Sequence, residues 1–258
     1  MIMRSHIPPP PLSDFVGLFW YFAGSSPVYA KERCLPTGTT ELVINLREDR
    51  IRIFDNANPE RYRQFCGSIV CGTQSEFFVI DRAPEEEVIG VHFKPGGAFP
   101  FLPLPAGELL DEHVGLDDLW GAAAHELREQ LLSVCTPETR FAVLERWLLA
   151  RLKRPLARHP AVSFALRAFQ DVPHAQTIAQ VSSRIGLSQR RFIQLFHEQV
   201  GLTPKLFCRV QRFQQVLRLI ELQQRISWVD VATACGITIR PISFTTFRRF
   251  PASIRKHI

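Results

Sequence analysis

The stretch that decides the fold begins Thr177-Ile178-Ala179-Gln180-Val181. It continues through Ile185-Gly186-Leu187-Ser188, Arg190-Arg191-Phe192 and Phe196 to Gly201-Leu202-Thr203-Pro204. Thr177 with Gln180 is a capping-box pattern that opens a helix. Ile178, Val181 and Ile185 then fall on one face of it. Gly186 supplies the left-handed residue that ends it, Leu187 plugs the core, and Ser188 caps the next helix. In that second helix Phe192, Leu195, Phe196 and Val200 share one side. At about 100° per residue, Arg190 and Gln194 point the opposite way. Arg191, His197 and Glu198 flank them. Two short helices joined this way form a helix-turn-helix.

The exposed side of the second helix has a definite chemistry. Arginine pairs two ways with guanine, and glutamine with adenine, from the major groove. The free N–H groups where the helix starts, at Ser188 and Gln189, suit a phosphate. Arg190 and Gln194 are therefore the expected base readers. Ser188, Gln189, Arg191 and His197 complete the DNA-facing set, with Arg191 suited to base or phosphate alike. A solvated polar face is the alternative for any one amphipathic helix. The two arginines, the turn and the scarcity of acids favour DNA.

Outward from this unit the pattern continues. Thr203-Pro204 starts a long helix whose Leu206, Phe207, Val210, Phe213, Leu217 and Ile220 recur at three- and four-residue steps. Ser227-Trp228-Val229-Asp230 is a second capping-box pattern. Val231, Ala232, Ala234 and Cys235 lead from it into Gly236, with Phe247 and Phe250 further on.

Charge divides the chain. Residues 1–156 carry 16 Lys and Arg against 21 Asp and Glu, a net of −5; residues 157–258 carry 15 against 4, a net of +11. A basic module beside an acidic one fits nucleic-acid binding by the basic half. The first ninety-odd residues read as strands. Leu42-Val43-Ile44-Asn45-Leu46 and Phe77-Phe78-Val79-Ile80 are apolar runs. Ile51 and Ile53 alternate with arginines, and Ile89, Val91 and Phe93 with Gly90, His92 and Lys94. Prolines from Pro95 to Pro105 mark an ordered connector. One helix is expected over residues 116–132. A second has Thr136 as its cap, Pro137 at its first position and a stripe of Phe141, Leu144, Leu148 and Leu152. Lys153-Arg154-Pro155 and Arg158-His159-Pro160 read as a linker. The fold expected is α+β: a small N-terminal β-barrel or sandwich with two helices, residues 1–155, then an all-α domain of two helix-turn-helix units joined by a long helix, residues 156–258.

Other functions are less well supplied. No run approaches the roughly 18 apolar residues of a membrane span, and Met1 to Pro11 holds no export signal. A cytoplasmic protein is expected, with no membrane partner. No nucleophile and base are visible, and Ser25, Ser26 and Ser75 lie in no elbow motif, so no enzyme is expected. Cys66 and Cys71 lack a second close pair. A zinc site needs about four ligands, and only Cys34 or His92 remains to add. No cofactor or metal is expected. A DNA-alkylation repair protein with a reactive or zinc-bound cysteine is the alternative this spacing disfavours. An interaction module that has lost DNA binding is a further one.

Residues 161–250 resemble the AraC/XylS family of bacterial transcription regulators. The resemblance rests on the first unit, the connecting helix and Trp228-Val229-Asp230-Val231-Ala232…Ala234-Cys235-Gly236. It implies two units on a rigid spacer helix, reading groove faces about 34 Å apart, one turn of DNA. The second unit departs from the pattern. Ser243 stands where a buried Phe is usual, Phe244 comes one place later, and Pro241 is tolerated only in a first helical turn. Thr238, Arg240, Ile242 and Thr245 are the base-reading candidates there, and Arg248, Arg249, Arg255 and Lys256 suit phosphate. In the other half, Leu35-Pro36-Thr37-Gly38…Glu41-Leu42-Val43-Ile44-Asn45-Leu46 and His92-Phe93-Lys94-Pro95-Gly96-Gly97-Ala98 resemble the sensor domain fused to such regulators. That implies an unidentified small-molecule effector and a homodimer. The candidate effector residues are Arg33, Glu41, Asn45, His92 and Phe99, with ordinary strand and loop packing as the alternative role.

Overall fold

The computed structural model describes residues 1–25, 30–82, 85–171 and 177–222. Thr238, Arg240, Ile242, Thr245, Arg248, Arg249, Arg255 and Lys256 lie outside the described residues. The strands in chain order are β1 (Ile2–His6), β2 (Val16–Ser25), β3 (Ala30–Cys34), β4 (Glu41–Asn45) and β5 (Ile51–Phe54). They continue as β6 (Tyr62–Phe65), β7 (Ser68–Cys71), β8 (Phe78–Arg82), β9 (Glu85–Phe93) and β10 (His113–Gly115). All pair antiparallel. One sheet runs β1-β2-β9-β4-β7-β10, the other β3-β8-β5-β6.

The two sheets form a sandwich, not a closed barrel. Ile69 and Cys71 of β7 and Val43 of β4 pack against Ile51, Ile53, Phe65, Phe78 and Ile80 of the smaller sheet. The alternation read in the sequence selects the faces. Ile89, Val91 and Phe93 are buried on the other side of the larger sheet. There they join Phe19, Tyr21, Leu42, Ile44 and Val70 under the helices. The run at Phe78–Ile80 is only half-buried, because the smaller sheet is covered on one face alone.

Three helices cover the larger sheet where two were expected: α1 (Leu116–Trp120), α2 (Ala122–Leu132) and α3 (Pro137–Ala150). The continuous helix expected over 116–132 breaks at Gly121, whose φ of 62° a helix does not accept. Thr136 caps α3 by accepting a hydrogen bond from the Thr139 N–H, and Pro137 takes the first position. Arg140 of α3 ties this layer to the sheet. Its Nε donates to the Leu131 and Val134 carbonyls, and its guanidinium pairs with Glu87 of β9. Burial pushes the Glu87 carboxyl up. The hydrogen bonds from Arg140 and Tyr21 outweigh that and hold it below the ordinary carboxylate range.

The second core belongs to α4 (Pro160–Asp171), α5 (Ile178–Ile185), α6 (Gln189–Val200) and α7 (Pro204–Leu222). Ala161, Val162, Ala165, Leu166 and Phe169 of α4 meet Val181, Phe192, Leu195, Phe196, Val200, Phe207 and Val210. Among the described residues no helix is long and apolar enough to cross a membrane. The stretch read as a linker is stitched down. Arg154 donates to the carbonyls of Phe99, Leu102 and Pro103, and its guanidinium covers the Phe99 ring at 4.4 Å. Arg158 stacks on Phe15 at 4.5 Å.

Replacing Arg140 by Ala takes the ion-pair partner from Glu87, which keeps only its hydrogen bond from Tyr21, and removes the donor to two carbonyls. The expected cost is about 3 kcal/mol or more, measured as a shift of the urea midpoint with an unchanged slope.

Candidate nucleic-acid interface and effector row

Each end of the helix-turn-helix is set by a local device that the sequence announces. The capping box at Thr177 and Gln180 is complete in both directions, and Gly186 ends α5 in the left-handed region at φ 71°. The Ser188 hydroxyl accepts from the Arg191 N–H and starts α6, and Gly201 ends it at φ 91°. Leu206 N–H in turn donates to Thr203 Oγ1 at the start of α7.

Behind α6 stands an aromatic cluster. Phe196 meets Phe169, Phe192 and Phe207 edge-on, at centroid distances of 6.1, 5.9 and 5.6 Å. Phe192 and Phe196 are each 0% exposed. With that side fixed inward, Ser188, Gln189, Arg190, Arg191 and Gln194 are all exposed. An Arg191 guanidinium N–H donates to Gln194 Oε1 at 3.3 Å. The structure thus brings five of the first unit's six candidates onto one open surface. The sixth, His197, is half-buried. A β-carbon added at Gly107 would overlap its ring, so the imidazole lies against the N-terminal half.

That contact belongs to a seam between the two halves. Thr73 Oγ1 donates to the Val200 carbonyl at 3.5 Å. Arg209 donates to the Ser75 carbonyl at 3.3 Å, Gln211 to that of Thr37 at 3.4 Å and Gln214 to that of Pro36 at 2.7 Å. Leu110 joins the helical core. Sequence reasoning found none of these seam residues, because no local pattern marks a contact between distant loops.

The effector candidates separate. Glu41 and His92 sit directly opposite one another on β4 and β9, and His92 Nδ1 lies 2.8 Å from Glu41 Oε1. Asn45 holds a turn instead, its Oδ1 accepting from the Arg47 and Glu48 N–H groups at 2.9 and 2.8 Å. Phe99 is buried beneath Arg154. Arg33 is exposed and lies over Phe77 at 5.3 Å.

Register adds two residues that the sequence reading did not nominate for this role. Cys71 is opposite Glu41, and His113 is opposite Cys71. His92, Glu41, Cys71 and His113 therefore form one row across the face that meets the smaller sheet. Burial pushes the Cys71 thiol well up, helped by Glu41 and Cys34, so it stays protonated. His113 is 6% exposed and edges onto Phe78 at 4.4 Å. Its Nε2 has no hydrogen-bond partner among the described residues. Burial, with help from Arg63, lowers its pKa to about 4. Among the described residues no three His, Cys, Asp or Glu side chains are grouped as a metal requires. Cys66 and Cys135 are exposed, whereas Cys34, Cys71 and Cys208 are buried.

Residues 4–115 match the family described as a domain of unknown function (DUF6597). No curated protein matches the chain. Among solved structures, an apo variant of ToxT from Vibrio cholerae strain SCE256 is similar with a TM-score of 0.43 and 9% identity, covering 85% of this chain and 88% of that one. Wild-type ToxT of the same strain with unsaturated fatty acid bound gives 0.41 and 8%, covering 85% and 86%. The AraC-like transcriptional activator CuxR gives 0.31 and 13%, covering 86% and 87%.

His113 makes stability fall on acidification. Its folded pKa of about 4 lies below the ordinary histidine value of 6.5, so between those values the unfolded chain binds more protons. Stability is full above pH 6.5 and falls as pH drops towards 4, by about 3 kcal/mol at most. Urea midpoints measured across that window should fall less steeply in His113→Gln than in the native chain.

Proposed function

We propose that this chain is a cytoplasmic, sequence-specific DNA-binding transcription regulator. In this reading residues 156–258 engage promoter DNA, and residues 1–155 bind a small-molecule effector and pair two copies of the chain. The observation that carries it is the orientation of α6. Phe192 and Phe196 are fully buried behind it, and Arg190, Arg191 and Gln194 are exposed in front.

The chemistry of each residue supports a role. Arg190 suits the O6 and N7 edge of guanine. Gln194 offers its amide to adenine once Arg191 turns from Gln194 Oε1 to a phosphate. The Ser188 oxygen accepts from the Arg191 N–H, which leaves its hydroxyl proton for a phosphate beside the free N–H groups of the first turn. Thr238, Arg240, Ile242, Thr245, Arg248, Arg249, Arg255 and Lys256 remain the candidates of the second unit. For the effector we centre the reading on the Glu41–His92 pair. Its carboxylate and imidazole offer polar contacts to a small molecule, the unpartnered His113 Nε2 offers a further one, and Cys71 and Phe78 are the apolar surroundings. The reading assigns no catalysis.

Two substitutions separate base reading from charge. Arg190→Ala is expected to cost about 1–3 kcal/mol on the preferred site and to relax selection at one base position. Arg191→Ala is expected to weaken all sequences alike and to lower the salt slope by about 1. Site selection from a random duplex pool, followed by anisotropy titrations at several salt concentrations, measures both. Unchanged selection and affinity in Arg190→Ala would remove α6 from the reading.

A further inference from the structure

By helical phase His197 belongs with Arg190 and Gln194. It follows Gln194 by three residues and Arg190 by seven, so at about 100° per residue the three side chains lie within some 60° of one another. Yet the His197 ring lies against Gly107, inside the 3-10 turn Ala106–Leu109. The N-terminal half therefore covers the third turn of the face whose first two turns are exposed. Glu108, the next residue, is exposed. Further along the same loop Asp111 accepts from Ser75, and Glu112 pairs with Arg63 at 3.0 Å. Glu112 is thus neutralised by its pair, and the contact of Gly107 with His197 leaves Glu108 as the acid set beside a surface suited to phosphates. A negative lip there repels the DNA backbone, and a loop on the third turn keeps α6 from lying along a groove about 12 Å wide.

We propose that Gly107 and Glu108, although outside the helix-turn-helix, set its DNA affinity by holding α6 back from the groove. This rests on the DNA-binding reading above. Gly107 lets the turn close onto His197, since a β-carbon there would overlap the imidazole and either the ring or the turn would have to shift. Glu108 adds charge repulsion at the same place. The other seam hydrogen bonds are those of Thr73, Arg209 and Gln211, at 3.3–3.5 Å, and that of Gln214, at 2.7 Å, and Leu110 packs into the helical core beside them. Halves of a chain move relative to one another by default unless their interface is large and hydrophobic, so the lip can swing away when DNA docks. Gly107→Ala wedges the seam open, and His197→Ala removes the ring that the new methyl group meets.

The experiment uses the full chain, a non-specific DNA duplex, anisotropy titrations from low to high salt, and hydrogen exchange of residues 189–200 without DNA. Glu108→Gln is expected to tighten binding about two- to fivefold at low salt and by less at high salt. Glu108→Lys should steepen the salt slope by about 1. Gly107→Ala should tighten binding and speed exchange in the last turn of α6. Adding Gly107→Ala to His197→Ala should change neither quantity. The proposal is overturned if Glu108→Gln binds as the native chain does, or if Gly107→Ala speeds exchange yet binds no tighter. Native chain and variants that all show no salt-dependent binding overturn the DNA-binding reading instead, whatever the exchange rates show about the seam.

Discussion

Phe196 is the contact on which the functional geometry depends. Three phenylalanines from α4, α6 and α7 meet it edge-on, and none of the four rings is more than 1% exposed. Edge-on pairs add to simple area burial because the positive ring edge meets the negative ring face. Their geometry fixes rotation as well as distance. A helix anchored by Phe192 and Phe196 on one side has no freedom in what it shows on the other. The open surface of Arg190, Arg191 and Gln194 is thus a consequence of packing behind it, not of anything those polar residues do for themselves.

The N-terminal sandwich is wired to that helix by short segments. β4 follows the loop in which Pro36 and Thr37 touch α7, and β7 runs directly into Thr73 at the end of α6. β9 leads to Gly96 beside Gln199 and Val200, and β10 follows the loop bearing Gly107. These are the four strands that carry His92, Glu41, Cys71 and His113 in one row. Each residue of the row therefore lies only a few positions from a loop that contacts α6 or α7. A bound molecule biases the seam only as far as it binds its closed and open forms with different affinity.

Local chemistry was legible in the chain, and long-range register was not. Thr177, Ser188 and Thr203 each act through a neighbour three residues away, and Gly186 through its own left-handed backbone; all four do in the structure what the sequence implies. The alternation at Ile89, Val91 and Phe93 likewise set the buried face of β9. By contrast, the row through His92 and Glu41 to Cys71 and His113 exists only because four strands pair in one register, and no local pattern encodes which residues fall opposite. The break at Gly121 was missed because a glycine inside an apolar-periodic stretch is compatible with a continuous helix. Asn45 and Phe99 were nominated by residue type, and the structure places one in a turn and the other beneath Arg154. His197 was read as part of the exposed face from phase alone, which says nothing of a loop arriving from residue 107.

In the proposed function the side of α6 opposite Phe196 enters the major groove. Dimethyl sulfate tests it directly, because it methylates guanine N7 in the major groove and adenine N3 in the minor groove. With the full chain bound to its selected site, protection at guanine N7 is expected, lost from one guanine in Arg190→Ala. Protection confined to adenine N3, or a guanine pattern that Arg190→Ala leaves unchanged, would contradict it.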